Sequence, residues 1–339
     1  MKKNNIQNVI GIAGLIWAGK SLYQEFKAKK HFSKKVAFIT GGSKGLGLTL
    51  AEELINEGCQ VAICARDEED LAKAQKHLEG LGGEVRSYVC DVGNRSEVEW
   101  VVNEIIKDFG RIDFVFNNAG IISVGSMESF GEEEYKKSLD IMYWGIVNTT
   151  LAVIPEMKKR KNGQIINITS IGGEISVPHL LSYSAAKFAA VGFSKGSAAE
   201  LRKDNIFVTT IVPGLMRTGS YVNAKFPVDE KEEFKMFSFL SSTPGLTLNP
   251  RRAAKKILQA TKEKKYYQIL GNQNKILVKF THLFPNLTIS LFSYATRLLP
   301  YRDISPFEEG KKITEKYDDA ELGFIRKFGE TAQERHQLS

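Results

Sequence analysis

Between Val36 and about Gly271 the chain alternates short apolar, β-branched runs with longer stretches of helical periodicity, and few folds accept that pattern. The runs are Val36–Thr40, Val61–Ala65, Val85–Cys90, Phe114–Phe116, Gln164–Thr169, Phe207–Val212 and Tyr266–Leu270. The helical stretches include Leu48–Glu57, Glu68–Leu78 and Ser96–Phe109. Strands that are apolar on both faces must be covered on both faces. The alternation therefore predicts an α/β fold, a parallel sheet of about seven strands between two helical layers. Right-handed crossovers make it doubly wound. A length of 339 residues with 42% hydrophobic and 25% charged residues suits a globular body and excludes a disordered chain. The expected division is an arm over 1–33, an α/β domain over 34–272, and a helical extension with a polar tail over 273–339.

The net charge of +8 belongs mostly to one end. Residues 1–35 hold eight Lys and a single acid, Glu25, which leaves about +1 for the rest of the chain. A nearly neutral body has no basic face for nucleic acid. Residues 4–19 are uncharged and include the apolar run Val9 to Ala18, with Lys2 and Lys3 before it and Lys20, Lys27, Lys29 and Lys30 after it. Sixteen uncharged residues, four of them Asn or Gln, fall short of the roughly 20 apolar residues of a spanning helix. A helix in the membrane interface fits better, with lysines at the phosphates and Trp17 near the headgroups. Packing on the protein or on a partner chain is the competing reading. Near the other end, Phe280, Phe284, Leu287, Leu291, Tyr294 and Leu298 form a helical stripe interrupted by Pro285. It could pack on the body, cap a cleft, join subunits or touch a membrane. Cys59, Cys64 and Cys90 are too few for a disulfide framework and read as reduced, buried thiols. The five His show no metal-ligand spacing, so no metal is expected. The expected location is cytoplasmic, with membrane association through the arm.

The first strand runs into Thr40-Gly41-Gly42-Ser43-Lys44-Gly45-Leu46-Gly47, and a helix follows. Glycines there allow a tight turn and a close approach of the backbone to a pyrophosphate, while the helix N-terminus supplies N–H groups. The second strand ends in Arg66 and Asp67. An acid at that point suits the ribose 2′-hydroxyl of NAD; an Arg suits the 2′-phosphate of NADP. Arg66, with Lys44 as a second cation, favours NADP over NAD, although Asp67 lies one residue beyond. Further on come Ser170 and Tyr183-Ser184-Ala185-Ala186-Lys187. Tyr and Lys four apart share a helix face. A nearby ammonium is expected to lower the phenol pKa, so that the phenol can exchange a proton with a carbonyl oxygen, and Ser170 can hydrogen-bond that oxygen.

Taken in order, these motifs resemble the short-chain dehydrogenase/reductase family. They comprise Thr40-Gly41-x3-Gly45-x-Gly47, Asp91, Asn117-Asn118-Ala119-Gly120, Ser170, Tyr183-x3-Lys187 and Pro213-Gly214 leading to Thr218. The likeness covers about 34–225 and implies a Rossmann-type fold. It implies catalytic roles for Ser170, Tyr183 and Lys187. It implies a cofactor surface of Gly41, Ser43, Lys44, Gly45, Leu46, Gly47, Arg66, Asp91, Val92, Asn118, Ala119, Gly120, Tyr183, Lys187, Pro213, Gly214 and Thr218. In that set Asp91 meets the adenine end, Lys187 also holds the nicotinamide ribose, and Pro213 to Thr218 surround the carboxamide. The family usually carries Asn where this chain has Met142. The Asn main-chain carbonyl holds a relay water, and a carbonyl survives the change to Met. The segment after Thr218 holds Tyr221, Phe226, Phe234, Met236, Phe237, Phe239 and Leu240, which suggests an apolar lid and an apolar or lipid-like substrate. The expectation is an NADP-dependent enzyme interconverting a carbonyl and an alcohol, forming homo-oligomers as the family does. A redox sensor or scaffold that binds NADP with little turnover is the alternative.

Overall fold

The computed structural model describes residues 31–228, 231–243, 247–299 and 306–316. The apolar run of the N-terminal arm and the polar tail beyond 316 lie outside the described residues. In chain order the elements are β1 (Val36–Thr40), α1 (Gly45–Asn56), β2 (Gln60–Ala65), α2 (Glu68–Gly80), β3 (Val85–Val89), α3 (Arg95–Phe109) and β4 (Phe114–Asn117). Then come α4 (Glu132–Leu139), a π-helical turn (Asp140–Trp144), α5 (Gly145–Arg160), β5 (Gly163–Ile168), α6 (Leu181–Leu201) and β6 (Ile206–Val212). The last part holds β7 (Lys225–Pro227), α7 (Lys231–Ser242), α8 (Pro250–Lys262), β8 (Tyr267–Ile269), α9 (Asn272–Leu283), α10 (Pro285–Thr296), β9 (Phe307–Glu309) and α11 (Gly310–Lys316).

The main sheet has seven strands in the order β3-β2-β1-β4-β5-β6-β8, and every pairing in it is parallel. All seven apolar runs of the sequence are its strands, each within a residue or so of its expected bounds. Alternate strand residues feed two cores. Ala37 and Ile39 of β1 pack with α1, α2 and α8, while Val36 and Phe38 pack with α3, α5 and α6. The central strands β1, β4 and β5 are buried along their whole length, whereas in the edge strand β3 only Val85 and Tyr88 are buried. That difference is what two covered faces and one open edge dictate.

Strand order reverses between β1 and β4, so the crossovers leave in opposite directions and a crevice opens at the carboxyl ends of these strands. A smaller antiparallel pair, β7 with β9, stands over that end and has its own core of Val124, Tyr221, Phe226, Phe234, Phe237 and Ile313. Four aromatics expected to form an apolar lid are thus its interior. Phe239 and Leu240, on the last turns of α7, are exposed. Pro285 ends one helix and starts another, and α10 leaves α9 at 109° because proline cannot donate to the preceding turn. Among the described residues no single helix is long and apolar enough to cross a membrane.

Buried Asp113, just before β4, ties the opposite edge together. Its Oδ2 accepts from the Val36 N–H at 3.0 Å and pairs with Arg111 at 2.9 Å, and its Oδ1 pairs with Arg160 of α5 at 3.0 Å. Removing it leaves a strand N–H and two guanidinium groups short of their shared partner. Asp113→Ala should cost about 3 kcal/mol of unfolding free energy, read as a lower urea midpoint at unchanged slope.

Candidate active site

The crevice is built first by glycines. Gly41 and Gly45 have φ of +63° and +57°, a region that side chains avoid. A methyl group on Gly47 would sit 2.0 Å from the Gly41 carbonyl oxygen, so only glycine lets α1 start so close to the end of β1. The Thr40 hydroxyl accepts from the backbone N–H groups of Asn118 and Ala119 at 3.0 and 3.1 Å. The Asn118 amide answers by donating to the Thr40 and Gly41 carbonyls at 3.2 and 3.0 Å. The loops after β1 and β4 are therefore clasped to each other beneath the N-terminus of α1. A bare cradle at a helix N-terminus fits a dinucleotide pyrophosphate. Leu46 points into the core and has only its backbone to offer a ligand. Ser43 is also buried, against the same turn.

Farther along the crevice, Arg66, Asp91, Lys136, Lys137, Asp140 and Ile141 border a cavity of about 500 Å³. Asp91 Oδ1 accepts from the Gly93 N–H at 2.9 Å, which fixes the carboxylate at the cavity wall. Val92 is buried against Gly145, where an added methyl group would lie 2.7 Å from it. Asp67, the alternative to Arg66, and Lys44, the expected second cation beside it, are both otherwise engaged. Asp67 caps α2 by accepting from the Asp70 N–H at 2.9 Å, and Lys44 pairs with Asp70 at 2.6 Å. Arg66 itself is exposed. Lys137 and Arg66 both lie close enough to Lys225 to depress its pKa, behind the larger effect of its own partial burial. Lys137 and Lys225 were not legible in the sequence, since they come from different elements.

The third part lies at the ends of β5 and β6. Ser170 follows β5, and its Oγ accepts from the Gly172 N–H at 3.0 Å and hydrogen-bonds the Tyr183 phenol. Gly172 lets the Tyr183 ring lie flat on the backbone, since a methyl group there would be 2.8 Å from Cε1. One turn along α6, Lys187 is buried and donates from Nζ to the Ile168 carbonyl at 3.0 Å. Burial holds its pKa down at about 8. The phenol differs from expectation. Desolvation pushes it above its ordinary value, and the Ser170 hydrogen bond works against that shift. The Lys187 ammonium sits 5.8 Å from the ring centroid and is turned to the strand carbonyl, so burial prevails over charge.

Met142 is fully buried within the π-helical turn. A methyl group on Gly120 would lie 3.7 Å from the Met142 sulfur and 3.8 Å from Lys187 Nζ, so these three residues share one corner of the site. On the far side, the Pro213 carbonyl accepts from the Ile171 N–H at 2.7 Å, Thr218 is buried, and Gly214 packs against the Asn274 amide. Sequence reasoning missed Asn274 and also the buried pair of His179 and Glu233. His179 Nδ1 meets the Glu233 carboxylate of α7, which ties the lid to the loop ahead of Tyr183. His179 has φ of 63°, a conformation seldom taken by non-glycine residues.

The Lys187 ammonium should be lost as the pH rises through about 8, well before an exposed lysine titrates. Selective ¹³C labelling of lysines should show one amine with that midpoint, and Lys187→Met should remove that resonance.

The model of the family described as short chain dehydrogenase matches residues 35–226. A dehydrogenase/reductase SDR family protein 7-like of Anopheles gambiae is 34% identical over 220 residues, covering 63% of this chain and 69% of that protein. A 3-ketodihydrosphingosine reductase of Bacteroides thetaiotaomicron is 37% identical over 185 residues, covering 55% of this chain and 65% of its own. Among solved structures, a short-chain dehydrogenase from Streptomyces avermitilis superposes with a TM-score of 0.66 at 26% identity, over 78% of this chain and 97% of that one. With its Rossmann-type sheet and glycine-cradled crevice, the chain belongs to the short-chain dehydrogenase/reductase family and is an oxidoreductase of the kind that binds a nicotinamide dinucleotide.

Proposed function

We propose that the protein uses NADP(H) to interconvert a carbonyl and an alcohol on an apolar or lipid-like substrate. The observation that carries this reading is the convergence of Ser170 and Tyr183 on Gly172, with buried Lys187 one helical turn away at the carboxyl end of the sheet. When bound, the nicotinamide supplies or takes up the hydride. Tyr183, whose raised pKa keeps it protonated at neutral pH, gives its proton to the carbonyl oxygen in the reducing direction and recovers it in the other. Ser170 Oγ hydrogen-bonds the same oxygen as charge develops on it. Lys187 carries a positive charge below about pH 8, which favours the phenolate left after the transfer and also suits the ribose. The Met142 side chain touches this corner without a hydrogen-bonding amide, so the relay at that point rests on its backbone carbonyl. Gly41 to Gly47 cradle the pyrophosphate, and Asn118, Ala119 and Gly120 line the floor. Asp91 and Val92 hold the adenine end, and Pro213, Gly214 and Thr218 the carboxamide.

NADP is favoured over NAD because Arg66 stands exposed at the crevice with Lys137 nearby, while Asp67 is committed to its helix cap. An apolar substrate is supported by exposed Phe239 and Leu240 on the lid helix and by the 3-ketodihydrosphingosine reductase among the relatives. Exposed Leu151 on α5 and Phe188 on α6 supply apolar surface for a homo-oligomer. The lysine-rich arm adds attachment to a membrane in the cytoplasm.

Turnover should rise from small polar ketones to long-chain ones and fall by at least about a thousandfold in Tyr183→Phe, with NADPH affinity within about threefold of wild type. Cofactor binding without turnover on any carbonyl would instead favour a sensor or scaffold. Arg66→Ala should weaken NADPH by about tenfold or more, roughly the value of a charge-assisted phosphate contact, and leave NADH almost unchanged, as read by fluorescence titration. Equal losses for both nucleotides would reject the 2′-phosphate contact.

A further inference from the structure

The α9–α10 pair inverts the usual order of burial. Asn274, Val278, Thr281 and Thr288 face the body, while Ile276, Leu283, Ile289, Tyr294 and Leu298 are 70, 72, 67, 67 and 87% exposed. Leu277, Phe284, Leu287 and Leu291 are exposed as well. Isolated surface leucines need no explanation, but nine large apolar side chains on one bent helix pair mark a contact surface. Each helix has 12 residues, about 18 Å, and the pair bends by 109°, so it cannot cross a bilayer as one rod.

The charges on the patch select its occupant. From Asn272 to Leu299 there is no Asp or Glu, and Lys275, Lys279 and Arg297 are all exposed. A second copy on a twofold axis would set these cations against themselves. Residues 1–30 are also strongly cationic. The 317–339 tail is net acidic and holds six large apolar residues against the nine of the patch, so it is kept as an outcome of the test. Apolar side chains mixed with Lys, Arg and Tyr and free of acids match an anionic lipid surface.

The pair is also firmly placed. Glu174, four residues after Ser170, is buried and pairs with Lys195 of α6 at 3.2 Å and with His282 of α9 at 3.4 Å. It also hydrogen-bonds Tyr267 of β8. At the start of α9, the Asn274 amide packs against Gly214. The apolar surface is thus braced to the loops beside the catalytic residues.

We propose that α9 and α10 form an interfacial docking surface for a bilayer containing anionic lipid, which sets the mouth of the active-site crevice against the membrane. This is separate from the N-terminal arm and does not depend on the substrate assigned above.

Co-sedimentation of the full-length protein with phosphatidylcholine vesicles, with and without phosphatidylserine, tests it. Wild type should bind the phosphatidylserine vesicles. Leu283→Ser/Ile289→Ser/Leu298→Ser should weaken that binding by at least about tenfold while NADPH affinity and melting temperature hold. Lys275→Gln/Lys279→Gln/Arg297→Gln should weaken binding to the phosphatidylserine vesicles alone, and it decides the matter should the triple-Ser variant lose NADPH binding. Wild type that ignores vesicles, or a triple-Ser variant that binds them like wild type, overturns the proposal. So does a triple-Ser variant whose light-scattering mass halves, since a second copy is then the occupant. Vesicle binding that appears only after removal of 317–339 would make the tail the occupant.

Discussion

The site depends on the clasp between the ends of β1 and β4. These strands are neighbours in the sheet, yet the chain leaves them toward opposite faces, so beyond Thr40 and Asn117 the ladder between the two strands stops. The Thr40 hydroxyl accepts two backbone N–H groups of the facing loop, and the Asn118 amide donates to two carbonyls in return. Groups that would otherwise cost roughly 1–3 kcal/mol each if buried unpaired are thereby satisfied across the gap. With the two loops joined, α1 can start at Gly45 with its N–H groups facing the crevice, and its glycines keep the space clear.

Burial does more than packing at the corner formed by Ser170, Tyr183 and Lys187. It raises the Tyr183 phenol above its ordinary value and lowers the Lys187 ammonium to about 8, moving the two apart. Near neutral pH the phenol therefore keeps its proton, while the lysine loses its own as the pH rises through about 8. Ser170 and the Ile168 carbonyl orient them from a strand buried along its full length, which gives the corner a rigid base. The lid rests on its own small core and is joined to the loop ahead of Tyr183 by His179 and Glu233, so a change in the lid reaches Tyr183 through four residues of chain.

Much of this was legible in one dimension because the relevant spacings are local. A run such as Val36–Thr40 reads as a buried strand wherever it lies. Glycines between a strand and a helix announce a tight approach, and Tyr183 and Lys187 share a helix face by periodicity alone. The signals failed where residues met from distant parts of the chain. Asp113 reads as an ordinary turn acid, and its three partners come from β1, the loop before β4, and α5. Asn274 and Glu174 carry no motif, yet they brace the extension to the site. The aromatics after Thr218 suggested an apolar lining, but Tyr221, Phe226, Phe234 and Phe237 form the core beneath the β7–β9 pair, while Phe239 stays exposed.

The sequence by itself determined the strand–helix alternation, the glycine turn, the ordered Ser, Tyr and Lys, and the direction of the crossovers, because each follows from steric or periodic rules acting over a few residues. The tertiary structure alone decided the proton affinities of Tyr183 and Lys187, the engagement of Asp67 and Lys44 by Asp70, and which face of α9 and α10 looks outward. Desolvation, ion pairing and exposure are set by what the rest of the chain places nearby, and spacing along the chain does not carry that information.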